Sequence, residues 1–209
     1  MMNNQNFHFP SFEEILLKNP MMATVKLARY KFVSKMLDKN DKIIDIGCGG
    51  GLSTFYYSNF CKQALGIDID ETRRNEWKTF KTKKINFICS DYKDIQKINF
   101  DANCIINVDF IEHLSKKEGE LFIKNCKEFL SNQKNRRNKM LIIGTPSFYS
   151  KKYRAKHNLK NHKYEYKPEE LYDLCSEHFS RILKFSMNDE LVHTGFDKLS
   201  WFFFLICIS

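Results

Sequence analysis

No two cysteines in this 209-residue chain are spaced as C-x-x-C, and the seven that occur are odd in number. That excludes a zinc-ribbon pattern and a disulfide framework. Cys89, Cys104 and Cys207 lie inside apolar runs and read as small core residues. Equally absent is an apolar run of membrane length. The longest, Trp201 to Ile208, falls far short of the ~20 residues that span a bilayer. The start, MMNNQNFHFP, lacks the basic and apolar regions of a secretory leader. A soluble chain in a reducing compartment, the cytoplasm, is expected. No internal repeat and no linker is visible, so residues 1–209 read as one domain.

What is present suits a globular fold. Hydrophobic residues make up 43% and charged residues 28%, enough apolar surface to fold without a structural metal. The formal charge of +9 favours anionic partners. The basic residues are scattered, however, which speaks against a dedicated nucleic-acid face.

Hydrophobic periodicity gives an alternation of helices and strands. Ser11-Phe-Glu-Glu14 has the spacing of a capping box, opening a helix to about Lys18. Pro20 opens a second, with Met22, Val25, Ala28, Phe32 and Met36 on one stripe. Strands are expected at Lys42 to Ile46, Ala64 to Ile67, Ile85 to Cys89, Ala102 to Val108 and Met140 to Gly144, the last stopped by Thr145-Pro146. Helices are expected at Leu52 to Phe60, at Glu71 to Lys81 on the surface, and over most of Asp109 to Leu130. Strands apolar on both faces imply a parallel sheet covered by helices on both sides. Residues 1–40 are expected to form N-terminal helices and 42–146 the core that would carry a cofactor. Residues 147–167 are rich in basic and aromatic side chains without periodicity, as a long functional insertion would be. Residues 168–209 supply a helix to about His178 and two last strands, Arg181 to Phe185 and Leu199 to Ile208.

Asp45-x-Gly47-x-Gly49-x-Gly51 lies between a strand and a helix, the setting in which glycines let a backbone approach a ligand. Asp68 ends the next strand, where an acid can accept from both hydroxyls of a ribose. An ordinary Rossmann-like turn holding another nucleotide would use the same residues. The acid inside the first strand favours a cationic ligand over a pyrophosphate.

The run IIDIGCGGG, then GIDID, then the acid in SDY, resembles the class I S-adenosylmethionine-dependent methyltransferases over residues 42–209. The resemblance implies a Rossmann-like α/β fold, with a seven-stranded, mostly parallel sheet and a reversed last strand. It implies that Gly47, Cys48, Gly49 and Gly51 lie beneath the methionine part of S-adenosylmethionine, with Asp45 orienting that loop or the ammonium group. Asp68 would hold the ribose and Ile69 pack on the adenine. Asp91 would bond the adenine amino group, with Ser90 and Tyr92 beside it. Asn107 and Val108 would lie near the methionine moiety. Arg29 would reach the cofactor carboxylate, or be a solvated arginine.

Asp109-Phe-Ile-Glu112-His113 follows the fourth strand directly. In a helix starting there, positions 109, 112 and 113 share one face and form a divalent-metal half-site. The same acid-x-x-Glu spacing is that of a capping box, with His113 bonding a loop. Together with the later Thr145-Pro146 and then His162-x-x-Glu165-Tyr166 in the insertion, the cluster resembles two metal-dependent branches. These are the ubiquinone-biosynthesis O-methyltransferases and the small-RNA 3′-terminal 2′-O-methyltransferases. Their ligand set carries over to Asp109, Glu112, His113 and His162, binding Mg²⁺ or Mn²⁺. Asp109 stands where those patterns have glutamate. Without metal, His113 or His162 could serve as general base.

The expected activity is methyl transfer from S-adenosylmethionine to an oxygen of a small polar acceptor, with Asp109, His113 and His162 as catalytic residues. The favoured acceptor is anionic or diol-bearing, a sugar or a phosphorylated or nucleotide-linked sugar, as in bacterial polysaccharide modification. An RNA 3′ end and a catechol are alternatives. From another class, the chain could be a cofactor-binding subunit that activates a catalytic partner.

Overall fold

The computed structural model describes residues 12–135, 137–154 and 161–209. The expected cap Ser11 lies outside them. Two helices come first, α1 (Phe12–Lys18) and α2 (Pro20–Ser34). Asn19 caps α2 by accepting from the Met22 amide at 3.1 Å, and Pro20 sits in the first turn, where no N–H is needed.

Eight strands follow: β1 (Lys42–Ile46), β2 (Gln63–Asp68), β3 (Ile85–Cys89), β4 (Cys104–Val108), β5 (Met140–Pro146), β6 (Arg181–Asn188), β7 (Leu191–His193) and β8 (Phe202–Ile208). They form one sheet in the order β3-β2-β1-β4-β5-β8-β6-β7. The first five are parallel, and β8 runs antiparallel between β5 and β6. The expected α/β class and reversed last strand are both there. The count is eight because the chain turns back after β6 at Asp189, a left-handed residue (φ 50°), and adds β7 as a hairpin partner. Nor does Pro146 stop β5 at Gly144. As the terminal residue it pairs with Phe202, where a missing N–H is tolerated.

The strands are buried on both faces, and alternate residues serve two cores. Ile43, Cys104, Ile106, Ile142 and Phe204 pack with Val33 of α2 and Tyr57 of α3 (Leu52–Ser58). Ile44, Leu65, Ile105, Leu141 and Phe203 pack with Phe122, Cys126 and Phe129 of α5 (Lys116–Asn132) and Leu171 of α6 (Pro168–Ser176). The polar segment from Glu71 forms a 3₁₀ turn and then α4 (Arg74–Phe80). It is less of a surface helix than its composition suggests, since Arg73 and Trp77 are buried.

The stretch after β4 departs most from expectation. No helix begins at Asp109. That residue takes φ 56°, and a 3₁₀ turn follows at Ile111–His113. The residue before this turn is Phe110, and no side chain caps it, so Asp109 and Glu112 do not form a capping box. The capping box belongs instead to Ser115 and Glu118, which start α5. The Glu118 amide donates to the Ser115 hydroxyl at 3.4 Å, and the Ser115 amide donates to the Glu118 carboxylate at 2.9 Å.

Candidate active site

The carboxyl ends of β1, β2 and β4 meet at one edge of the sheet, the edge where ligands of open α/β sheets bind. Gly47, Gly49 and Gly51 all have positive φ there, at 77°, 50° and 93°. Gly47 is also closely approached: a Cβ on it would lie 2.6 to 2.9 Å from the Phe110 side chain. A Cβ on Gly49 would meet nothing within 4 Å, so this glycine borders open space.

Asp45 is buried below the loop and accepts from the Ser53 and Thr54 hydroxyls, both at 2.7 Å. It thereby ties β1 to the first turn of α3. Burial pushes its carboxyl up to about 6, against the lowering effect of the two hydroxyls. Asp68 accepts from the Gly49 amide at 2.8 Å and the Asp70 amide at 2.9 Å, so the ribose candidate also pins the loop. The Trp77 indole N–H donates to the Gly49 carbonyl at 2.7 Å and stacks on Phe87. Cys48 is buried beside these groups.

The remaining cofactor candidates line the same edge. Asp91 accepts from the Lys93 amide at 2.9 Å and caps the turn that holds Tyr92, while Ser90 donates to the Asp91 carbonyl at 3.3 Å. Ile69 is exposed. Asn107 is fully buried and donates to the Ile46 carbonyl at 3.2 Å, but its Oδ1 has no hydrogen-bond partner among the described residues. An orphaned buried acceptor is costly unless something else satisfies it. Val108 follows at the end of β4. With the open space at Gly49, these residues fit a polar ligand such as S-adenosylmethionine. Asn107 would face its methionine part and Asp68 its ribose.

The four-ligand metal set contracts to three. Ligand atoms of Glu112, His113 and His162 all lie within 4.8 Å of one another. Asp109 is not in that group. Arg29 Nη1 contacts both of its oxygens, at 2.8 and 2.7 Å, and Lys26 stands 3.9 Å away. The physical reason is the backbone: with φ 56° at Asp109 the helical spacing of 109, 112 and 113 does not exist. Burial opposes ionisation of Asp109, yet the Arg29 and Lys26 charges prevail and hold its carboxyl below the ordinary range. Arg29, the candidate for the cofactor carboxylate, is thus already paired, and its guanidinium lies 3.8 Å from the Phe202 ring centre.

Glu112 is 1% exposed, and its carboxylate accepts from the buried Thr145 hydroxyl at 2.9 Å. Burial, then the nearby Asp109 charge, push the Glu112 carboxyl up to about 7. The insertion is stapled to this turn by its backbone: the Lys163 and Tyr164 amides donate to the Glu112 carbonyl at 2.9 and 3.2 Å. His162 therefore stands edge-on to His113, with ring centres 5.1 Å apart. His113 Nδ1 is 2.9 Å from the Asn161 carbonyl, and His162 Nδ1 is 2.6 Å from Glu165. One carboxylate and two imidazoles are a donor set that suits a divalent cation.

Several residues that build the site escape the sequence reading. Ser53, Thr54, Phe110 and Arg154 belong to no recognisable spacing. A lone tryptophan in the polar 71–81 segment was the one available signal, and it marks Trp77.

Residues 44–133 match the family described as Methyltransferase domain. A ubiquinone biosynthesis O-methyltransferase of Pelagibacter ubique (strain HTCC1062) is 30% identical over 119 residues, which are 55% of this chain and 46% of that protein. The chain therefore spans under half the length of that relative. Among solved structures, the methyltransferase domain of bacterial CtHen1-CN superposes with a TM-score of 0.69 at 18% identity, covering 88% of this chain and 100% of that one. A SAM-dependent methyltransferase from Archaeoglobus fulgidus gives a TM-score of 0.63 at 17% identity, covering 93% of this chain and 99% of the other.

Proposed function

We propose that this chain, whose residues 44–133 match the methyltransferase domain family, transfers a methyl group from S-adenosylmethionine to a hydroxyl of a vicinal diol, assisted by a divalent cation. The observation that carries this reading is the convergence of Glu112, His113 and His162 at the sheet edge that also bears the glycine loop. Bound Mg²⁺ or Mn²⁺ would lower the pKa of an acceptor hydroxyl and orient it. The protein's own part is positioning. Asp68 and the glycine loop hold the nucleoside of the donor, and Asn107 meets its methionine end. Glu112, His113 and His162 hold the cation, and Thr145 keeps the Glu112 carboxylate in place. A cation held by these three residues would remain free to take acceptor oxygens as well. The basic insertion next to this group favours an anionic acceptor, and a phosphorylated or nucleotide-linked sugar combines both features.

A ribose at an RNA 3′ end is a second diol of the same kind. It is favoured by a rim of exposed rings beside the insertion. Phe148, Tyr153 and Trp201 are exposed there, and Lys167 and Lys152 lie 5.6 and 4.8 Å over the first two rings. Such a surface can stack a base and face a phosphate.

The test is S-adenosylhomocysteine formation with nucleotide sugars, catechols and short RNAs ending in either a free diol or a 3′-phosphate. Exhaustive chelation should abolish turnover, and Mn²⁺ or Mg²⁺ should restore it. His162→Ala should lower the rate about a hundredfold or more while leaving S-adenosylhomocysteine affinity within about twofold. Full activity after chelation would rule out metal assistance. Turnover on the diol-ended RNA alone would decide for the second reading.

A further inference from the structure

We propose that Glu165, backed by Arg154, is the positioning residue that fixes His162 with its Nε2 lone pair available to a cation, a role that rests on the metal-assisted reading above. The two imidazoles of the group are oriented differently. His113 Nδ1 faces the Asn161 carbonyl at 2.9 Å. A carbonyl only accepts, so Nδ1 of His113 carries the ring proton, and the partner of that nitrogen is a backbone group. His162 Nδ1 faces a side chain instead, Glu165 Oε1 at 2.6 Å. Its tautomer therefore depends on the state and position of that side chain.

Both are tightly determined. The Glu165 side chain is 1% exposed, and its other oxygen, Oε2, lies 2.8 Å from Arg154 Nη2. Arg154 Nη2 also donates to the Ser147 carbonyl at 3.3 Å, which ties the guanidinium to the end of β5. The Phe148 amide donates to the Tyr166 carbonyl at 3.0 Å, so the backbone that carries Glu165 is fixed on both sides of it. A buried carboxylate needs a neighbouring charge to stay ionised, and Arg154 supplies it. An ionised Glu165 only accepts, which places the His162 proton on Nδ1 and the lone pair on Nε2. A carboxylate behind an imidazole also makes the ring a more basic ligand than a carbonyl does.

The alternative is that Glu165 merely staples the insertion to the turn. Two readouts on the full chain separate the possibilities. The first is nitrogen NMR of ¹⁵N-histidine-labelled, metal-free protein at about pH 8.5, well above the ordinary imidazole value. His162 should be the Nδ1–H tautomer, and Glu165→Ala should shift it toward Nε2–H. The second is calorimetric titration with Mn²⁺. Glu165→Ala should weaken Mn²⁺ binding by roughly 10- to 100-fold. Glu165→Gln and Arg154→Gln should each weaken it by less, because an acceptor oxygen remains. S-adenosylhomocysteine affinity should not move. An unchanged tautomer and unchanged Mn²⁺ affinity in Glu165→Ala would overturn the proposal. Should that variant fail to fold, wild-type Mn²⁺ affinity in both Gln variants would do the same. If the wild type binds no Mn²⁺ while its His162 tautomer still depends on Glu165, the metal reading falls and the positioning role stands.

Discussion

The two halves of the candidate site are wired over different distances along the chain. In the cofactor half the links made by the two acids are short. Asp45 bonds Ser53 and Thr54, and Asp68 bonds Gly49, at separations of 8, 9 and 19 residues. In the half that carries the acid and histidines, the contacts of Asp109, Glu112 and His113 are long. Arg29 reaches Asp109 across 80 residues, Thr145 reaches Glu112 across 33, and Asn161 reaches His113 across 48. A site made of near neighbours leaves a motif behind it. A site made of distant contacts leaves separate residues, each with an ordinary explanation of its own.

Three measurements would break or sharpen this contrast. The largest effect is expected at Gly47, where the halves touch. Gly47→Val adds a branched side chain at positive φ and against Phe110, a combination that costs several kcal/mol, about 3 or more. S-adenosylhomocysteine binding should be lost and the midpoint of chemical denaturation should drop. Near-normal binding would mean that the loop is not the cofactor's seat.

Next comes Asp45, the buried centre of the short-range half. Folded, it keeps its proton up to about pH 6, whereas the unfolded chain releases it near 3.8. Folding therefore holds a proton between those values, and stability falls as pH rises through them. The loss attributable to Asp45 is roughly 3 kcal/mol by the top of that window. Asp45→Asn should remove it, so that urea denaturation of wild type and variant at pH 4 and 7 shows the gap between them shifting toward the variant. A gap that does not change with pH would show that the carboxylate is better solvated than its surroundings indicate.

The smallest effect is expected at Ser115, beside the long-range half but outside it. Ser115→Ala removes the α5 cap and should cost about 1 kcal/mol in thermal or chemical denaturation. Cofactor and Mn²⁺ affinities should both be unaffected. A change in either would couple the start of α5 to the 111–113 turn.

The sequence was clearest where chemistry and backbone coincide. The positive-φ glycines, the acid at the end of β2 and the apolar strands are each demanded locally, so their pattern survives in one dimension. It was misleading at Asp109, because acid-x-x-Glu-His has the same spacing whether or not a helix is present. The left-handed backbone at Asp109 and its ion pair with Arg29 turned a four-member set into three. The capping box lay only six residues on, in Ser115-Lys-Lys-Glu118, and was concealed by the assumption of a helix already under way.

By itself, then, the amino-acid order determined the α/β alternation, the glycine turn and the identity of the candidate nucleoside-binding acids. These depend on allowed φ values and on side-chain period, which neighbouring residues settle among themselves. Only the tertiary structure decided which of Asp109, Glu112, His113 and His162 stand together and which side chains hold them. That outcome depends on where α2, β5 and the insertion come to rest against the end of β4. Burial and long-range pairing fix those positions, and no local spacing encodes them.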